Sequence, residues 1–136
     1  MKSIPSFSAY AIPDIPLIQQ GDDLVDIISA KIEEASFSLQ DGDVLVISSK
    51  IVAKSEGQRV DLNTVSPSEN ALHLAEVTGK DPRIVELVLR ESTAISRKAK
   101  NVLITQHRLG FVSANAGIDQ SNVGNPYAVL LFPRDP

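Results

Sequence analysis

The chain has no cysteine, which excludes disulfides, thiolate catalysis and zinc-finger chemistry. It has no tryptophan and only 4% aromatic residues, so stacking platforms for single-stranded nucleic acid are missing as well. Basic runs never exceed a residue or two and the net charge is −4, a balance that argues against a nucleic-acid partner. Long apolar runs are scarce too. None approaches a membrane span, and no signal-peptide core follows Met1-Lys2, which predicts a cytoplasmic protein with no membrane partner. His73 has no second histidine at ligand spacing, and neither repeats, low-complexity stretches nor a Walker A pattern occur.

What is present suits one globular domain: 136 residues, 43% apolar and 22% charged. Ser6 to Ile12 alternate small or polar with apolar side chains and predict a first strand ending at Pro13. Pro13 and Pro16 then forbid a helix and favour an extended loop. Asp22 or Asp23 caps a helix from Leu24 to about Ala35, with Leu24, Ile28, Ile32 and Ala35 on one stripe. After the Asp41-Gly42-Asp43 turn, Val44 to Ile47 is a continuous apolar run of the kind buried on both faces of a sheet. Gly57 closes the next short segment, and Arg59 to Leu62 reads as a strand. Ser66-Pro67-Ser68-Glu69 is a capping box with proline at the first helical position, starting a helix that Gly79 stops after about Thr78. Asp81-Pro82 starts another, with Ile84, Val85, Val88 and Leu89 inward and Arg83, Glu86, Arg90 and Glu91 as a solvated face. Ala94 to Lys98 extends, Val102 to Thr105 is a strand, and Gly110 turns it back through Phe111 to Ala114 in a hairpin. Val129 to Phe132 is the last strand. These elements predict an α+β (α/β-type) fold, a mixed β-sheet with about three helices. The polar, proline-bearing finish at Pro133 to Pro136 predicts the front portion of something longer.

Two stretches carry candidate chemistry. Asn115, Asp119, Ser121 and Asn122 crowd around Gly117, and amide, carboxylate and hydroxyl oxygens beside a flexible backbone suit hard cations and phosphates. The same residue types also simply make turns. The second is Ser48-Ser49-Lys50 through Lys54 after the Val44 to Ile47 run. Hydroxyls and ammonium groups at the carboxyl end of a buried strand lie where open α/β sheets place ligands, although Ser49 and Lys54 taken alone are more often a polar strand end and a surface lysine. At the hairpin tip His107 could act as a base and Arg108 clamp a phosphate or carboxylate; both also fit plain exposed turn residues.

Several strings together resemble one family. Ile15-Pro-Leu-Ile-Gln-Gln-Gly-Asp-Asp-Leu24, Asp41-Gly-Asp-Val-Leu-Val-Ile-Ser-Ser-Lys-Ile-Val-Ala-Lys-Ser-Glu-Gly57, Lys80-Asp-Pro-Arg83, Val85-Glu-Leu-Val-Leu89, His107-Arg108, Gly110-Phe-Val112 and Asn115-Ala-Gly-Ile-Asp-Gln-Ser-Asn-Val123 occur in this order in coenzyme F420-0:L-glutamate ligases, the F420-0:gamma-glutamyl ligases. The similarity runs over nearly the whole chain, and its two longest strings are specific in length and spacing.

The resemblance implies an amide-forming ligase of coenzyme F420 biosynthesis. GTP would activate a carboxylate of F420-0 to an acyl phosphate, which L-glutamate attacks. It also implies two divalent ions, Mg2+ or Mn2+, a K+ ion, and a homodimer. By motif position, Asp119 would hold a divalent metal. Ile15, Pro16, Leu17, Ile18, Ser49, Lys50, Lys54 and Asn122 would border GTP, Lys50 standing where other members differ. His107, Arg108 and Asn115 remain candidate substrate or phosphate contacts, and no residue is assigned as catalytic. Members of the family run well beyond this length and draw further metal ligands from the part missing here. The chain therefore reads as one domain, the N-terminal portion of such a ligase, expected to be inactive alone. The alternative is a truncated, non-catalytic nucleotide-binding or dimerising module.

Overall fold

In the computed structural model, which describes residues 6–121 and 125–135, the order of elements follows the local signals in most places. Helix α1 is Leu24–Glu34, opened by the Asp23 carboxylate accepting from the Val25 and Asp26 amides. Helix α2, Ser49–Ser55, is short and was not legible beyond its glycine stop. Strand β1, Arg59–Asp61, leads through a 3-10 turn at Leu62–Thr64 to helix α3, Glu69–Thr78. The α3 cap is Ser68, so Pro67 lies just before the helix rather than at its first position. Gly79 ends α3 with φ +67°, the left-handed conformation a glycine takes at little cost. Helix α4, Pro82–Arg90, begins at the Asp81 cap with proline in the first turn.

Strands β2, Ser92–Ala99, β3, Val102–His107, and β4, Val112–Ala114, form an antiparallel sheet in that order. Strand β5, Ala128–Leu130, returns to pair antiparallel with β1, Val129 lying opposite Val60. With helices and two small antiparallel sheets among the described residues, the fold is mixed α+β as expected, with four helices instead of about three.

The core has two adjoining parts. Ala71 and Leu74 of α3 meet Val85 and Val88 of α4, Leu103 of β3 and Ala116. Leu62, Val65, Leu87 and Val129 form the second part, and Ile84 and Ile118 touch both. The inward residues of α4 therefore include Leu87 in addition to the expected stripe, and its outer face is less solvated than its charges suggest. Glu86 is buried, where it accepts from the Ser68 hydroxyl at 2.6 Å and from Arg90 at 2.8 Å, and Glu91 is half-buried against the hairpin.

Two expected strands do not form. Ser6 to Ile12 and Val44 to Ile47 join no ladder among the described residues, although both lie in non-helical chain. Each has the side-chain pattern of a strand but no neighbouring strand to bond, and a ladder requires both. No helix of the described residues is long and apolar enough to cross a membrane.

Candidate active site

The polar loop after β4 is built on unusual backbone. Asn115, Ala116 and Gly117 have φ values of 52°, 54° and 74°, three left-handed residues in a row. For Ala116 that conformation is strained, and it persists because the side chain is wholly buried in the core between α3, α4 and β3. Gly117 has a second constraint: a Cβ there would lie 3.2 Å from the Phe132 ring. The loop then straightens, and Asp119 bridges to Leu130 through paired backbone hydrogen bonds of 2.9 and 2.8 Å. This anchor ties Asp119 to the β1–β5 sheet.

So fixed, the Asp119 carboxylate meets the start of α2. Its Oδ2 accepts from the Lys50 ammonium at 2.7 Å, and its Oδ1 accepts from the Ser121 amide at 2.7 Å. Lys50 also donates to the Ser121 hydroxyl at 3.0 Å. The Lys50 ammonium, with help from the Ser121 amide, lowers the Asp119 pKa to about 2. Asp119 is thus a fixed anion at any physiological pH, already engaged with a cation.

Ser48, Ser49, Lys50, Gly117, Asp119 and Phe132 line one cleft of about 170 Å³. Ser48 occupies the cap position of α2, yet its hydroxyl makes no capping bond. The cleft therefore presents two hydroxyls, an ammonium and a carboxylate over an apolar floor that includes Ala53 and Leu130. Two stretches separated by about seventy positions in sequence converge here, with Lys50 reaching Ser121 across the gap.

The other candidates fall elsewhere. Lys54 lies on α2 outside the cleft lining. Ile15, Pro16, Leu17 and Ile18 precede a loop tied to α2 by the Gly21 amide donating to the Ser55 carbonyl; Ile18 is buried and Leu17 is 86% exposed. Asn122 lies outside the described residues. The side-chain oxygen of Asn115 is buried without a partner and does not line the cleft.

His107 is no exposed tip residue: it is fully buried, stacked on Phe111 at 4.6 Å and edge-on to Phe132 at 5.7 Å. Its Nδ1 accepts the Leu109 amide at 3.1 Å, so the proton sits on Nε2, 3.4 Å from Glu91 Oε2 and misaligned for a hydrogen bond. Burial lowers the His107 pKa, against the opposing pull of Glu91, and keeps the ring neutral. Arg108 points outward and donates to Glu91 at 3.0 Å. Ser48 belongs to the hydroxyl-bearing stretch the sequence singled out, whereas Phe132 and Glu91 are the participants that sequence reasoning missed; Glu91 had no signal beyond its place in a charged helix face.

One carboxylate is what the described residues bring to the cleft, and among them no group of three or more acidic or histidine side chains could hold a metal. Asp119 still fits a divalent ion of the kind bound by one carboxylate, with phosphate oxygens and waters completing the shell, because it already holds a cation in the form of Lys50.

Comparison with known proteins decides the ancestry. Residues 13–136 match the F420-0:gamma-glutamyl ligase family. The chain belongs to that family. The coenzyme F420:L-glutamate ligase of Methanothermobacter thermautotrophicus is 44% identical over 129 residues, covering 95% of this chain and 51% of that protein. Its counterpart in Methanopyrus kandleri is 41% identical over 136 residues, 100% of this chain and 52% of the relative. That of Methanosarcina mazei is 43% identical over 129 residues, 95% of this chain and 48% of the relative. The chain thus spans about half the length of the relatives it matches. Within the matched region of this F420-0:gamma-glutamyl ligase homologue lie both halves of the cleft, Ser48 to Lys50 and Gly117 to Asp119.

Proposed function

We propose that the chain is the N-terminal portion of a GTP-dependent ligase that joins L-glutamate to coenzyme F420-0, and that its cleft receives the phosphates of GTP. The observation carrying this reading is the convergence of Ser48, Ser49 and Lys50 with Asp119 in one cleft. Hydroxyls and an ammonium suit phosphate oxygens, and the carboxylate would hold a divalent cation. A divalent ion held by Asp119 would neutralise charge on the phosphates. In the reaction the F420-0 carboxylate attacks the γ-phosphorus and GDP departs. The glutamate amine then attacks the acyl carbon, phosphate leaves, and the amine proton passes to solvent. Lys50, which now donates to Asp119, would donate to a phosphate oxygen with GTP bound, so its part would be positioning and charge stabilisation. The K+ ion, the homodimer and a cytoplasmic setting belong to the same proposal.

The size of the cleft limits what this chain does by itself. At about 170 Å³ it is smaller than the roughly 300–1,000 Å³ of ordinary small-molecule sites. It accommodates phosphate groups and not a whole nucleotide with its co-substrates. With Asp119 as the one carboxylate that the described residues bring to it, this favours a second reading of the isolated chain as a non-catalytic phosphate-binding module.

Calorimetric titration with Mg2+ and GTP, alongside an assay of GDP release with F420-0 and L-glutamate, tests both. The expected result is weak GTP binding, lowered about tenfold or more by Asp119→Asn, and no ligation by the chain alone. GTP binding left unchanged by Asp119→Asn would overturn the assigned role of the cleft. An absence of GTP binding would overturn the nucleotide reading in both forms.

A further inference from the structure

Val44 to Ile47 is non-helical chain with the side-chain pattern of a strand and no ladder among the described residues. Val44 and Val46 are 82% and 87% exposed, whereas Leu45 and Ile47 are 48% and 40% exposed, the alternation of a strand covered on one face. The covered face lies against α1, where Leu24, Ile28, Ile32, Leu39, Leu45 and Ile47 line a groove of about 150 Å³. Among the described residues no backbone hydrogen bond is made by Val44 to Ile47, whose amides and carbonyls stand free along both edges. Four consecutive apolar residues, three of them β-branched, are the composition of a strand enclosed on both faces, and here one face and both edges are bare.

We propose that this segment is the docking site for polypeptide from the half of the family fold that this chain does not span, which adds a strand beside Val44 to Ile47 and covers Val44 and Val46. The occupant follows from length. The matched relatives are about twice as long as this chain, which covers 51% of one and 52% of another, so each carries as much polypeptide again with no counterpart here. Strand addition takes its affinity from backbone bonds and its specificity from alternate side chains, and this segment offers free groups for the first and the two valines for the second. The inference rests on membership of the family and not on the GTP chemistry, so protection of the strand without nucleotide turnover would keep it and sink the ligase reading.

The test is amide hydrogen exchange on the chain alone and on the chain co-expressed with the unmatched half of the Methanothermobacter thermautotrophicus relative. The expected result is a complex in which exchange at residues 44–47 slows at least about tenfold. Val46→Lys and Val44→Lys should weaken that complex to a similar degree while leaving α3 and α4 exchange unchanged. A complex without slowing at 44–47 overturns the proposal. So does slowing in the chain alone that grows with its own concentration, the mark of a second copy. Should the two halves fail to assemble, the intact relative decides: fast exchange at its positions aligned with 44–47 overturns the proposal, and protection there supports it.

Discussion

At the residue scale the most informative side chain is Asp119, held well below its ordinary pKa of 3.8, at about 2, chiefly by Lys50. A carboxyl whose folded pKa is depressed contributes stability that is fully present above about 4, its unfolded value, and is lost as pH falls through the folded one. The Asp119–Lys50 pair therefore adds to stability at neutral pH and gives that contribution up between pH 4 and pH 2. Both partners are partly exposed, so the contribution is modest. Lys50→Ala should return the Asp119 titration toward the ordinary carboxylate range in a carboxyl-carbon NMR experiment, with little change in melting temperature at pH 7, whereas Lys50→Arg should keep it depressed. An unchanged titration in Lys50→Ala would show that the lysine is not the cause. Asp119 and Lys50 stood out in the sequence because carboxylate, hydroxyl and ammonium groups clustered beside strand ends; that they touch each other did not, since contact between residues so far apart is a property of the tertiary fold. His107 shows the opposite case. Its position near Gly110 reads as an exposed turn, and only the folding back of Phe111 across the turn and the arrival of Phe132 from the end of the chain's described part turn the ring into packing.

At the scale of elements, local chemistry was legible wherever caps and breakers carry it. Asp23, Ser68 and Asp81 each accept amide hydrogen bonds at a helix start that the sequence placed to within about two residues, and Gly79 stops α3 as expected. The hairpin of β3 and β4 was legible from its glycine link, whereas α2 is too short for a periodic signal. Strands misled where their partners are missing, as at Ser6 to Ile12 and Val44 to Ile47, because alternation reports what a residue prefers and not whether a neighbour exists. Ser68 joins two elements at once: its hydroxyl accepts the Ala71 amide at 3.3 Å and donates to the buried Glu86 carboxylate at 2.6 Å, whose pKa is lowered chiefly by that bond. Ser68→Ala removes a cap and leaves Glu86 short of a donor, so it should destabilise the domain by about 1–2 kcal/mol. Urea unfolding at pH 7 measures this, and a loss below about 0.5 kcal/mol would show the hydroxyl to be dispensable.

At the scale of the whole molecule, the two core parts draw their buried members from Leu62 onward and none from α1 or the segment after it. Helix α1 is 11 residues long, shorter than the roughly 12–15 at which an isolated helix becomes even marginal, and the side chains that line a groove with it are Leu39, Leu45 and Ile47 of the unpaired segment that follows. A helix of that length takes its stability from packing, and its packing partner has no ladder of its own among the described residues. Two levels of cooperativity follow, with α3, α4 and the β2–β3–β4 sheet opening together and α1 opening first. Native-state hydrogen exchange in low denaturant should place the opening free energy of the α1 amides below that of α3 and α4 by at least about 2 kcal/mol. The Ile27 amide, bonded to the Asp23 carbonyl, and the Val85 amide, bonded to that of Asp81, are matched probes, since each closes the first turn of its helix. Equal protection at the two would mean that the α1 groove couples to the core as strongly as the core couples to itself, and the domain would then unfold as one unit without any added strand.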